Sequence, residues 1–160
     1  GCAGPIAGTR TATGYNVVEA GIPQLQQAMS EGRVTSRQLV VEYLLRVALY
    51  EDQVKAAITV NPNALAEAED RDRERAQGRV RGPLHGIPIA LKDNIQTADM
   101  VTTGGAIAFE NLRPPYHATI ARTLREAGAV IIAKTVMTEL ANWVAGPPTP
   151  MPGNCSALAG

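Results

Sequence analysis

Lys92, Asp93 and Asn94 follow directly on the apolar run Ile87 to Leu91, within the stretch GPLHGIPIALKDNI. A second apolar run, Ala129 to Ala133, also ends on a lysine, Lys134. In open α/β sheets, sites gather beyond the carboxyl ends of the strands. Two parallel strands ending in this way would bring both amines to one sheet edge. Burial there disfavours an ammonium ion and lowers its pKa, and a neutral amine can act as a general base. The competing reading is structural. In it each lysine reaches solvent along its methylenes or pairs with Asp93 or Glu139.

Other polar groups offer less. His85 sits in a proline–glycine loop and His117 at a helix start, and both read as structural. Gly104-Gly105 is not a phosphate loop, because no GxxxxGK[ST] pattern accompanies it, and a dinucleotide fingerprint is absent. Cys2 and Cys155 lie near opposite ends of the chain with no metal-ligand spacing, so no metal and no cofactor is expected. Cys155 has no His or Asp beside it that would activate a thiolate.

These lysines need a frame, and the pattern supplies one. Ile22, Leu25 and Met29 follow helical spacing, with Pro23 in the first turn and Gly32 as a stop. Thr35 and Gln38 form a capping box ahead of the stripe Leu39, Val40, Tyr43, Leu44 and Val47. Ala56 to Val60 reads as a strand. Asn61 then caps a third helix, with Pro62 at its first position and Leu65 and Ala68 inward. Glu67–Arg71 and Glu69–Arg73 are acid-first pairs four apart on what reads as a solvated face, and Gly78 ends the helix. A fourth helix spans about Ala118 to Ala127, with Ile120 and Leu124 inward, and Gly128 ends it. Strand, helix, strand makes a βαβ unit with a parallel sheet. The expected fold is therefore α/β, a mixed or parallel sheet covered by helices. It divides into a flexible start over 1–15, a helical segment over 16–50 and an α/β core over 55–160.

Composition narrows the partners. The chain has 160 residues, one domain's worth. Its 15 basic and 15 acidic residues cancel, which argues against nucleic acid and for a small neutral molecule. No apolar run reaches membrane-spanning length. A cytoplasmic location is expected. Gly1-Cys2-Ala3-Gly4 also matches the remnant of a lipoprotein cleavage site, which would instead place the protein on a membrane through a lipid on Cys2.

Several blocks in order resemble one family. GPLHGIPIALKDNI is similar to the lysine motif of the amidase signature family. Residues 35–40, Ile58 to Pro62, Thr102 to Gly104, 127–135 and 138–143 resemble its neighbouring blocks, so the resemblance covers about residues 16 to 160. It implies the N-terminal part of the amidase signature fold and hydrolysis of a small-molecule amide by a Ser–cisSer–Lys triad. Lys92 would be the triad lysine, with Asp93 and Asn94 supporting the strand end. Thr103, Met137 and Asn142 would line the pocket. Thr138 to Trp143 resembles free-standing amidases more than the amidotransferase that acts on misacylated tRNA.

The chain departs from that family in its serines. It has Ser30, Ser36 and Ser156 only, and Ser156 resembles the segment ahead of the Gly-Ser-Ser-Gly loop rather than the loop itself. The expectation is an amidase fragment that carries the base and is inactive alone. Its missing C-terminal part would come from a longer chain or a second one, with homo-oligomer formation as another outcome. A noncatalytic scaffold is the alternative.

Overall fold

The computed structural model describes residues 13–141. Cys2, Asn142, Trp143, Cys155 and Ser156 lie outside that range. Helix α1 (Ile22–Ser30) carries Pro23 in its first turn. Helix α2 (Ser36–Val54) begins with the predicted capping box. The Thr35 hydroxyl accepts the Gln38 amide at 3.1 Å, and the Gln38 side chain accepts the Thr35 amide at 2.8 Å. Strand β1 (Ala57–Val60) and helix α3 (Ala64–Ala76) follow. Strand β2 (Pro88–Lys92), helix α4 (Thr119–Glu126) and strand β3 (Val130–Thr135) complete the described frame.

The sheet has the order β1-β3-β2. β2 runs parallel to β3 and β1 antiparallel to it, so the sheet is mixed, and β2-α4-β3 is the expected βαβ unit. β3 is buried on both faces. Val130 and Ile132 pack with Val40, Ala64 and Ala68 from α2 and α3. Ile131 packs on the other face with Leu91, Met100 and Ala121. A third cluster joins Leu25, Ala28 and Met29 of α1 to Leu39 and Ile87.

One irregularity decides where side chains point. Ile89 pairs with Ile131, but Ala90 pairs with Ala133, so β3 spends an extra residue there. Such a bulge reverses the alternation of faces beyond it. Lys134, opposite Leu91, therefore shares the α4-side face with Ile131 rather than following Val130 and Ile132. The bulge is held from outside. The Asn61 side-chain amide donates to the Ile131 carbonyl at 2.7 Å, and its backbone amide donates to the Ile132 carbonyl at 2.8 Å.

Three expectations need correction. Ile120 is 54% exposed, and the buried residue of α4 is its neighbour Ala121. Helix α3 starts at Ala64, and Asn61 and Pro62 precede it, because the Asn61 side chain is spent on the bulge and on the Asn63 amide. The pairs Glu67–Arg71 and Glu69–Arg73 are replaced by long-range partners for the two glutamates and by partners three residues away for the two arginines. Glu67 binds Arg125 of α4 at 3.0 Å, Glu69 binds Arg37 of α2 at 2.6 Å, and Arg71 turns to Glu74. Glu69 and Arg73 remain exposed, as expected of a solvated face, while Glu67 and Glu69 also fasten α3 to its neighbours.

Candidate functional site

At the carboxyl end of β2, three successive residues meet three environments. Leu91 is buried in the α4-side cluster, Lys92 is exposed, and Asp93 is fully buried. Alternation along the strand produces the first contrast. The second follows from a turn, closed by the Ile95 amide on the Lys92 carbonyl at 2.9 Å. Lys92 pairs in register with Thr135 and not with Lys134. Neighbouring strand residues face opposite ways, so the two lysines end on opposite faces of the sheet. Both lysines do reach the carboxyl edge of the sheet, one register step apart, but the expectation that both amines are partly desolvated is corrected, since Lys92 is exposed. Lys134 is the buried one.

Lys134 sits in a closed polar network. Its Nζ donates to Thr102 Oγ1 at 2.8 Å and lies 3.2 Å from Asp93 Oδ1. Asp93 Oδ2 accepts both the Thr103 backbone amide, at 2.9 Å, and the Thr103 hydroxyl. Thr103 Oγ1 in turn accepts the Gly105 amide at 3.0 Å. The Asp93 main chain is held as well, donating to Thr135 O at 3.0 Å and accepting from Gly104 N at 3.2 Å. Burial holds the Lys134 amine below the ordinary lysine range, and the Asp93 carboxylate works against that shift. For Lys134 the ion-pair reading of the sequence is the one realised, with Asp93 as partner; Glu139 is exposed.

Above this network lies an open cavity of about 340 Å³. Thr103 and Met137, expected to line a pocket, are among its lining residues, as is Asn94, expected instead to support the strand end, together with Thr102, Phe109 and Leu140. Lys92 does not line it, and Asn142 is not described. Gly105 brings the far wall close. It has φ +72°, and a Cβ there would stand 2.7 Å from the Met137 carbonyl oxygen, so only glycine fits. Leu140 and Ala141 at the rim both adopt left-handed backbone, and the Leu140 amide donates to Gly104 O at 2.7 Å. Thr102 was not singled out in the sequence. Its signal was indirect, since a lysine ending a strand covered on both faces requires an acceptor close by.

The histidines fall as expected for structural residues. His85 is fully buried, with Nε2 2.9 Å from Arg71 O and Nδ1 accepting the Arg81 amide. His117 Nδ1 accepts the Ala98 amide at 3.2 Å. The described serines are similarly occupied. Ser30 donates to Gln27 O and the buried Ser36 to Gly86 O. Among the described residues no group of three or more His, Cys, Asp or Glu is arranged to hold a metal ion.

Comparison with known proteins agrees with this frame. Residues 38–153 match the family model described as Amidase. A glutamyl-tRNA(Gln) amidotransferase subunit of Natranaerobius thermophilus is 40% identical over 124 residues, covering 77% of this chain and 25% of that protein. The native peptide amidase of Stenotrophomonas maltophilia superposes with a TM-score of 0.75 at 46% identity, over 78% of this chain and 26% of that one. A fatty acid amide hydrolase superposes with a TM-score of 0.67 at 28% identity, over 74% of this chain and 21% of that one. The chain thus spans about a quarter of the length of these relatives.

Proposed function

The chain belongs to the amidase family, and from that premise we propose that it is part of an enzyme hydrolysing carboxylic amides to an acid plus ammonia or an amine. The observation that carries the reading is the setting of Lys92. Lys92 is exposed at the carboxyl end of β2, with no ion pair among the described residues, while Leu91 and Asp93 on either side are buried. In this reading the Lys92 amine accepts a proton from a bridging serine held in a cis peptide. That serine accepts the proton of a nucleophilic serine, whose Oγ attacks the amide carbonyl. The C–N bond breaks as the relayed proton reaches the leaving nitrogen. Water then adds to the acyl ester, releasing the acid and returning the proton to the nucleophile. Ser30 and Ser36 are committed elsewhere, so both serines come from outside the described residues.

The likeness to peptide amidase supports peptide and amino-acid amides as the first substrates to examine. In the complete protein, Lys92→Ala should lower ammonia release from a blocked amino-acid amide by about 100- to 10,000-fold with the circular dichroism unchanged. Turnover near wild type would remove the assignment.

A second reading, as one component of a tRNA-dependent amidotransferase, draws support from the relative that is 40% identical. The balanced charge of the chain favours the first. Ammonia release without any partner supports the amidase. Activity confined to glutamyl-tRNA in the presence of partner proteins supports the amidotransferase.

A further inference from the structure

We propose that Lys134 is a positioning residue, which acts through Asp93 to fix both Lys92 and the 102–104 wall of the cavity. This rests on the reading of Lys92 as proton acceptor. Asp93 is the next residue after Lys92, and both its main chain and its carboxylate are held, Oδ1 by the ion pair with Lys134 alone. Its amide and carbonyl tie the chain to Thr135 and Gly104, and its carboxylate reaches Thr103 and Lys134. Lys134 holds the opposite side of the same knot, joining Asp93 to Thr102. The strand end that presents Lys92 and the loop that walls the cavity are therefore fastened at one point.

A stability role alone explains this arrangement poorly. A buried ion pair is weak evidence for stability, since apolar replacements of the same volume are often as stable. Here the sheet also carries a bulge without which Lys134 would face α2 and α3, away from Asp93 and Thr102. Asn61 supplies two donors to the carbonyls of that bulge. Sequence and backbone irregularity together aim one amine at one carboxylate. Displacements of about 1 Å at a reacting group cost on the order of 100-fold in rate, so a fastening of this kind has an effect that kinetics can read.

The test uses the complete enzyme and hydrolysis of a blocked amino-acid amide, with rates expressed per folded molecule. Asp93→Ala should lower kcat by about 100-fold and leave KM within about threefold. Asp93→Asn keeps an acceptor for Thr103 and should recover at least tenfold of that loss. Asp93→Ala folded with kcat near wild type would overturn the proposal, as would an Asn variant no better than Ala. If Asp93→Ala does not fold, the double variant Asp93→Asn/Lys134→Met decides, because it holds no unpaired buried charge. Folded with reduced kcat and unchanged KM, it supports positioning. Folded with wild-type kcat, or unfolded, it makes the pair a folding element and overturns the proposal. Lys92→Ala runs beside these. An active Lys92→Ala removes the function reading itself, whereas a dead Lys92→Ala beside a fully active Asp93→Ala sinks only this inference.

Discussion

Gly128 is constrained twice. Its φ is +87°, and a Cβ there would stand 2.7 Å from His85 Nδ1 and 3.1 Å from His85 Cα. Gly128→Ala should therefore destabilise by about 2–4 kcal/mol in urea unfolding, through backbone strain plus displacement of a buried ring. The same ring makes stability depend on pH. Burial pushes the His85 pKa below the usual imidazole value. The unfolded chain takes up its proton near pH 6.5, while the folded ring does so only at lower pH. Between those two points unfolding binds a proton, so stability falls as pH falls. His85→Gln should flatten that part of a stability-against-pH curve, and an unchanged slope would assign it to other groups. At this scale the nomination of Lys92 came from its place in a motif. The pairing of Lys134 could be raised but not decided, because the bulge that turns it toward Asp93 is made by long-range hydrogen bonds from Asn61.

Helix α2 illustrates what elements add to residues. Its Thr35 capping box is contained in four consecutive residues and is readable directly. A further anchor is not, because Asp72 of α3 accepts the Ser36 amide at 2.7 Å and the Arg37 amide at 2.9 Å. A carboxylate at a helix N-terminus satisfies free amides and meets the positive end of the helix dipole. Asp72→Ala should cost about 1–2 kcal/mol. Asp70→Ala, two residues away and paired only with the exposed Arg73, should stay within about 0.5 kcal/mol. Equal losses in chemical denaturation would refute the distinction. Helical periodicity revealed α3 itself, but its charges were legible only as local pairs. The partners of Glu69 and Glu67 lie 32 and 58 residues away in α2 and α4, a distance that spacing does not report. Ile120 failed for a related reason. Alternatives one residue apart satisfy the same short pattern, and the small Ala121 is what lets α4 close on the sheet.

For the molecule as a whole, β1 and β2 each pair on one side only among the described residues. Val60, Ile107, Phe109 and Leu140 are exposed as well. Unpaired strand edges beside apolar surface invite association. The isolated 160-residue chain should show an apparent mass that rises with concentration in light scattering, and a constant monomer mass would count against this. The α/β class and the parallel β2-α4-β3 unit were legible from strand and helix alternation, but the antiparallel direction of β1 was not. The central place of β3 was not, since strand order depends on which edges meet in space. That order carries a consequence for biosynthesis. The strand in the middle is the last of the three to be made, and both neighbours depend on it. Ala57 waits for Thr135, and Pro88 waits for Val130. At ordinary elongation rates the gap between Val60 and Val130 lasts roughly 4 to 14 s. Through that interval the nascent chain can form α1, α2 and α3 but none of this sheet, and its first strand leaves the ribosome unpaired.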